Sequence, residues 1–215
     1  MFTKVFSEYG LPVEYSNLTT GPEQTQALAS GDIQFLYAVG ATSVILSASN
    51  GADIKIISTY GRSPEAFRLF AGKDSTIQTA ADLKGRKFAG PVAYNMAKDG
   101  YRVVTTGKDL VDATIVVATS GAFYEKNPLL VKRFLEAQSE IAQYMKENAE
   151  ETLEITARET ELSMEAVKEM FPMYDFSTEI TEADITSMKK TEQFMKDNGM
   201  IENRVDINGL ILKID

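Results

Sequence analysis

The first sixty residues alternate between helical and strand periodicity, and that alternation most constrains what the chain can fold into. Residues 2–9 suit a short helix stopped by Gly10, residues 13–17 a strand, and residues 22–30 a helix stopped by Gly31. Residues 33–37 then read as an apolar strand, residues 41–50 as a helix closed by Gly51, and residues 54–58 as an isoleucine-rich strand. Short connections between strands separated by helices predict parallel pairing through right-handed crossovers. The expected fold class is therefore α/β, an open and mainly parallel sheet flanked by helices.

Beyond this repeat, residues 66–71 (AFRLFA) read as a further strand, and Thr79 to Gly85 as one helical turn with Thr79 as N-cap and Asp82 at N3. Residues 86–89 read as a short strand, residues 91–100 as a helix with no strand to serve it, and residues 101–106 as a strand. Residues 112–119 (DATIVVAT) form a β-branched run of the kind buried on both faces of a sheet. From Asn127 the chain turns helical, with Pro128 at N1 and Leu130, Phe134, Ala137, Ile141 and Met145 on one face. Residues 163–171 and 181–198 supply two more helices, ended by Pro172 and Gly199.

Composition removes whole classes of function. The 215 residues contain no histidine, and a composition with no cysteine excludes thiolate catalysis, disulfides and zinc sites built on sulfur. Without histidine, the usual general base and the usual activator of a serine nucleophile are missing, so a serine triad of the ordinary kind is excluded. There is no glycine-rich phosphate loop and no carboxylate cluster at metal-site spacing, so neither a cofactor nor a metal is expected. Lys plus Arg number 22 against 31 Asp plus Glu, and a net charge of −9 argues against a nucleic-acid surface. No run approaches the roughly 18 apolar residues of a membrane span, and no signal peptide is visible.

What remains is binding at strand ends. Thr20-x-x-Glu23 is a capping box, by itself a structural device. Its placement adds a second reading, because ligands in open α/β sheets sit beyond the carboxyl ends of strands, where helix N-termini converge. Thr19, Thr20 and Gly21 occupy one such end, Gly40, Ala41 and Thr42 a second, and Thr59-Tyr60-Gly61 a third. Amides and hydroxyls there could hold one small anion or zwitterion, although the same residues also suit tight turns. Arg62 either pairs with a ligand carboxylate or sulfonate or is solvated in a loop.

The order of these features resembles the solute-binding proteins of ABC importers in the aliphatic sulfonate, taurine, nitrate and thiamine-precursor group. The matching residues are Met1-Phe2-Thr3-Lys4 with Tyr9-Gly10, and Gly21-Pro22-Glu23 followed by Ala27-Leu28-Ala29-Ser30-Gly31-Asp32-Ile33. Further matches are Ala80, Asp82-Leu83-Lys84-Gly85-Arg86-Lys87, Thr181-Glu182-Ala183-Asp184-Ile185, and Phe194-Met195 to Ile201. The resemblance implies a type II periplasmic-binding fold, two lobes that close on a solute, delivery to a membrane permease, and no chemistry. It implies a periplasmic or extracytoplasmic, lipid-anchored location, and it carries over ligand contacts at Thr19 to Gly21, at Gly40 to Thr42 and at the return crossing, Thr119-Ser120.

Two departures stand against it. The group begins with a strand and ligand-contacting loop before the segment matching Met1, and after Ala89-Gly90 this chain passes to Pro91-Val92-Ala93-Tyr94, which resembles the end of the second lobe. The expected organisation is accordingly residues 1–72 as the first part of lobe one, residues 73–111 as a reduced lobe two, and residues 112–215 as the return of lobe one with C-terminal helices. Competing functions are an enzyme on the same fold, chorismate-dehydratase-like or pyrimidine-synthase-like, and a lobe that only contacts another protein. The synthase depends on histidine, which the chain lacks.

Overall fold

The computed structural model describes residues 2–83, 100–108 and 112–214. The chain forms two compact units, the first from Met1–Arg62, Thr114–Ala149 and Phe176–Asp215, the second from Ser63–Ala113 and Glu150–Asp175. The expected strand at residues 86–89, the helix over residues 91–100, and the Lys84 to Lys87 part of the family-like motif lie outside the described residues, apart from Gly100.

The first unit is built on a three-stranded sheet of β1 (Phe35–Gly40), β2 (Lys55–Arg62) and β5 (Thr114–Thr119), in the order β1-β5-β2. Strand β5 runs antiparallel to both neighbours, with Phe35 and Lys55 flanking Thr119 at one end and Gly40 and Gly61 flanking Ile115 at the other. The expectation of a mainly parallel sheet is therefore wrong. β1 and β2 do run in the same direction, joined by α3 (Ala41–Ser49), yet they do not pair with each other. The β-branched run returning from the second unit inserts between them and takes both sets of backbone hydrogen bonds.

Alternation along the strands builds a core on each face. Leu36, Val39, Ile56, Val116 and Ala118 pack on one side with Val44 and Ile45 of α3, Leu28 of α2 (Gly21–Ser30), and Met188 and Met195 of α8 (Glu182–Asp197). Ile57 and Val117 point to the other side, against Phe6 of α1 (Phe2–Glu8) and Val131, Phe134 and Ile141 of α5 (Pro128–Glu147). Strict alternation would put Leu36 and Val39 on opposite faces. A bulge at Ala38, whose φ is +72°, inserts the extra residue that returns Val39 to the Leu36 side. The expected strand at residues 13–17 does not form: residues 11–19 carry neither helix nor strand and pair with no described strand.

A polar bolt ties the second face to β2. Gln138, buried in α5, accepts from Ser58 Oγ at 2.6 Å and donates to the Thr59 carbonyl at 2.8 Å. On the far edge of β2, the Thr59 amide donates to Thr178 O at 3.0 Å and its hydroxyl to Ser177 O at 2.6 Å. Arg62 finishes this edge, donating to Asp184 through Nε at 2.6 Å and Nη2 at 2.5 Å, and to Glu179 O at 2.8 Å.

The second unit holds β3 (Arg68–Ala71) and β4 (Arg102–Thr106) as an antiparallel pair, with α7 (Met164–Met170) and most of α6 (Ala149–Thr160). Arg68 binds Met173 Sδ at 3.1 Å and Glu169 at 3.8 Å, and Lys108 pairs with Glu65 at 2.7 Å. The shorter helices α4 (Gly121–Lys126) and α9 (Ile207–Leu210) complete the first unit.

Asp184 is only 2% exposed. Burial alone would raise its pKa, but hydrogen bonds from Arg62 and from the Thr181 hydroxyl and amide outweigh that, and the carboxyl titrates below its ordinary value. A depressed folded-state pKa means the interaction stabilises fully above the unfolded pKa and is lost as pH falls through the folded one. Arg62→Met should therefore destabilise the chain at neutral pH by ~3–5 kcal/mol, because it strands a buried carboxylate. Urea melts from pH 7 to pH 3 should show the deficit of the variant shrinking on the acid side; a constant deficit would exclude this origin.

Candidate functional site

The site is assembled from two helix N-termini. Helix α2 begins at Gly21 because Thr20, in an extended conformation, accepts from the Glu23 amide at 3.4 Å while Glu23 Oε2 accepts from the Thr20 amide at 3.2 Å. Thr19 adds its hydroxyl to the same carboxylate oxygen at 3.4 Å. Helix α3 follows β1 directly, and its N-cap is Gly40, which has no side chain with which to satisfy the first-turn amides. Gly40 and Thr42 are exposed, while Ala41 is buried beneath them.

These two ends touch. A Cβ on Gly21 would stand 2.1 Å from Ser43 Oγ and 2.7 Å from Ser43 Cβ, so only glycine lets the first turn of α2 lie against the first turn of α3. The structure thus brings Thr19, Thr20 and Gly21 together with Gly40, Ala41 and Thr42. Ser43, which ends the same G-A-T-S run but was not among the expected ligand contacts, is the contact between them.

The other expected residues fall elsewhere. Gly61 flanks Ile115 opposite Gly40, so the third strand end does lie across β5 from the second. Tyr60, half-buried, turns toward the α5 face and meets Tyr37 edge-on at 5.1 Å and Phe176 at 6.0 Å. Burial pushes the Tyr37 phenol well above its ordinary pKa, and the neighbouring Tyr60 and Tyr15 phenols push it further. Tyr37 was not anticipated, because aromatic residues inside a strand give no signal beyond core packing. The Arg62 guanidinium is engaged by Asp184 and by the carbonyls of Ser177 and Glu179.

Thr119 and Ser120 sit at the opposite end of the sheet from Gly40 and Gly61, since β5 is antiparallel. The Thr119 hydroxyl donates to Gln34 O at 2.7 Å, and Ser120 caps α4 by accepting from the Phe123 amide at 3.1 Å. The α4 N-terminus also holds an internal anion: Asp53 accepts from the Gly121 and Ala122 amides at 3.0 and 2.8 Å. Among the described residues no group of three or more His, Cys, Asp or Glu could hold a metal ion.

Comparison with solved structures places this architecture. The chain aligns over its full length with 88% of the periplasmic aliphatic sulphonate binding protein SsuA of Escherichia coli, at a TM-score of 0.82 and 16% identity. Over 98% of its length it aligns with 93% of the alkanesulfonate-binding protein SsuA of Xanthomonas axonopodis pv. citri bound to MOPS, at a TM-score of 0.84 and 13% identity. A conserved Candida albicans gene product with the generic periplasmic binding protein fold aligns over 98% of this chain and 90% of its own, at 0.76 and 15% identity. The chain has the type II periplasmic-binding-protein fold. Residues 1–94 also match the sequence model of the family described as "ABC transporter, phosphonate, periplasmic substrate-binding protein". No curated protein matches the sequence.

Within this fold the α2–α3 junction has a simple steric test. Gly21→Ala should cost ~1–3 kcal/mol by overpacking against Ser43. In a Ser43→Gly background both clashing atoms are gone, and the penalty should largely vanish. A double-mutant cycle read by thermal unfolding checks this coupling; additive penalties would mean the two turns are not in contact.

Proposed function

We propose that this chain is the solute-capturing component of an ABC importer, and that the joined N-termini of α2 and α3 hold the oxyanion of a small organic solute. The observation that carries the reading is the α3 N-terminus: its cap is Gly40, which supplies no side-chain cap, and its first turn is exposed at Thr42. A helix N-terminus carries roughly +0.5 elementary charge and presents amides outward, which suits a sulfonate, phosphonate, nitrate or carboxylate. At the α4 end, by contrast, Asp53 already fills that role. The match of residues 1–94 to phosphonate-binding proteins and the fold shared with sulphonate-binding proteins support a tetrahedral oxyanion as the recognised group.

In this role the protein performs no chemistry. It binds outside the cytoplasmic membrane and passes its cargo to a membrane permease. No described helix is long and apolar enough to cross a membrane itself. Of the other expected contacts, Tyr60 packs on Tyr37 and Phe176, Thr119 donates to Gln34 O and Ser120 caps α4, so none of the three is assigned to the anion at the α3 end.

Calorimetric titration with taurine, ethanesulfonate, methylphosphonate, nitrate and a pyrimidine precursor tests the reading, with product analysis alongside. One oxyanion should raise the unfolding midpoint without being converted. Thr42→Glu then places a carboxylate in the first turn of α3, where it should stabilise the helix by ~0.3–1 kcal/mol. The same variant should weaken oxyanion binding by roughly tenfold or more, since a like charge occupies the site. A panel with no stabilising oxyanion, or turnover of any compound, would overturn the proposal.

A further inference from the structure

The chain contains three Asn-Gly pairs, Asn50-Gly51, Asn198-Gly199 and Asn208-Gly209, and all three asparagines are exposed. In such a pair the glycine nitrogen can attack the asparagine side-chain carbon and close a five-membered succinimide, because glycine has no side chain to crowd the ring. The attack needs a glycine amide that is not already donating, and an asparagine free to rotate about ψ. The fold holds the first two pairs out of that reaction. Asn50 and Asn198 are the C-caps of α3 and α8, with ψ of 8° and 11°, and their glycines take φ of +85° and +66°. The Gly51 amide donates to Ala48 O at 2.9 Å and the Gly199 amide to Lys196 O at 3.2 Å. The Asn198 side chain is itself tied, donating to Phe194 O at 2.8 Å.

The third pair differs on each count. Asn208 and Gly209 lie inside α9, a single turn of four residues. The cap of that turn, Asp206, accepts from the Asn208 amide at 3.1 Å through Oδ1, and among the described residues no group accepts from the Gly209 amide. The other carboxylate oxygen stands against Gly209: a Cβ there would lie 2.8 Å from Asp206 Oδ2. The turn is closed by Leu210 N donating to Asp206 O at 2.9 Å and by a long bond, 3.4 Å, from Ile211 N to Asn208 O, so a local opening frees Asn208.

We propose that Asn208-Gly209 is a self-modification site, at which Asp206 acts as general base for the conversion of Asn208 to aspartate and isoaspartate. Asp206 Oδ2 takes the Gly209 N–H proton as that nitrogen bonds to Asn208 Cγ. The bond from Cγ to the side-chain nitrogen then breaks, and the leaving nitrogen carries the proton away as ammonia. Water opens the succinimide at either carbonyl, so one water enters, one ammonia leaves, and nothing is oxidised or reduced. Opening at the main-chain carbonyl gives isoaspartate, which inserts an extra methylene into the backbone between Asn208 and Gly209. That insertion falls on a clasp: Gly209 O accepts from Lys55 Nζ at 2.6 Å, Ile211 bridges to Ile56, and the Leu212 amide donates to Ile56 O at 2.9 Å. Isoaspartate therefore loosens α9 from β2.

This inference stands apart from the solute reading, and its test uses no ligand. The folded chain is stored at neutral pH and physiological temperature, and the three pairs are followed by peptide mapping and by labelling with an isoaspartate-specific carboxyl methyltransferase. Asn208 should convert about tenfold or more faster than Asn50 and Asn198, because those two must first break the bonds that hold them. In the urea-unfolded chain the three rates should converge, a comparison that needs no variant. Asp206→Asn keeps a capping acceptor but removes the base, and should slow Asn208 several-fold while leaving the other two pairs unchanged. Isoaspartate at this position should lower the unfolding midpoint, whereas Asn208→Gln, in which ring closure is far slower, should keep its midpoint on storage. Equal rates at the three pairs in the folded chain, faster conversion at Asn50 or Asn198, or an Asn208 rate that Asp206→Asn leaves unchanged or raises would each overturn the proposal.

Discussion

Everything in the first unit depends on the insertion of β5 between β1 and β2. Val116, Val117 and Ala118 are wholly buried, and the strand is hydrogen-bonded on both sides. Its side chains feed both cores, Val116 and Ala118 on the α3 face and Val117 on the α5 face. A strand so placed cannot be replaced by solvent, because leaving either ladder unmade would strand backbone groups between two apolar layers. β5 also fixes the site. By setting Gly40 and Gly61 on either side of Ile115, it determines where β1 stops and therefore where α3 begins.

The elements of this fold were more legible in the sequence than their partners. Helix α3, the long α5 and the capped α8 follow from apolar spacing, from Gly51 and Gly199 as stops, and from Thr181 accepting from the Asp184 amide at 3.2 Å. These signals are local. The partner of β1 is not local, since it returns only after the whole β3–β4 excursion. A strand–helix–strand run looks the same whether its two strands pair directly or stand one strand apart, and that ambiguity produced the parallel reading. Residues 13–17 likewise have a strand-like composition, but they make no strand pairing with any described strand. Helices α4, α6 and α9 escaped notice because they are short or weakly apolar, and α4 depends on Asp53, 68 residues before Gly121.

At the candidate site the sequence supplied the turns but not their engagements. Thr20 with Glu23 announces a helix start, and Gly40 before Ala41-Thr42 announces another. That Gly21 exists to let Ser43 approach is a tertiary fact with no local signature. Arg62 makes the point most sharply, because its carboxylate partner lies 122 residues away in a helix start that its own motif describes only as a cap. Asp184 serves both duties at once: it closes the N-terminus of α8 with Thr181 and neutralises Arg62 at the edge of β2. A residue that joins two elements in this way is spent on the fold, and this removes the most obvious cation from the list of free ligand contacts.

With that cation engaged and a net charge of −9, the anion capture proposed for this chain would have to come from local fields. Surface charges are screened over about 8–10 Å at physiological salt, so distant carboxylates contribute little at a helix end, whereas first-turn amides act at contact distance. Three helix starts in this unit illustrate the alternatives. At α4 the amides of Gly121 and Ala122 are occupied by Asp53, and at α2 Glu23 folds back on Thr20. Those two dipoles are compensated from within the chain. At α3 glycine takes the capping position, a choice that lets a backbone or ligand come close at the cost of offering the first-turn amides no side-chain cap. The hydrogen bonds of Glu23 to Thr20 and Thr19, at 3.2 and 3.4 Å, are long for a carboxylate. An oxyanion seated on α3 would therefore compete with Glu23 for the neighbouring donors, and the local balance rather than the net charge of the chain decides the outcome.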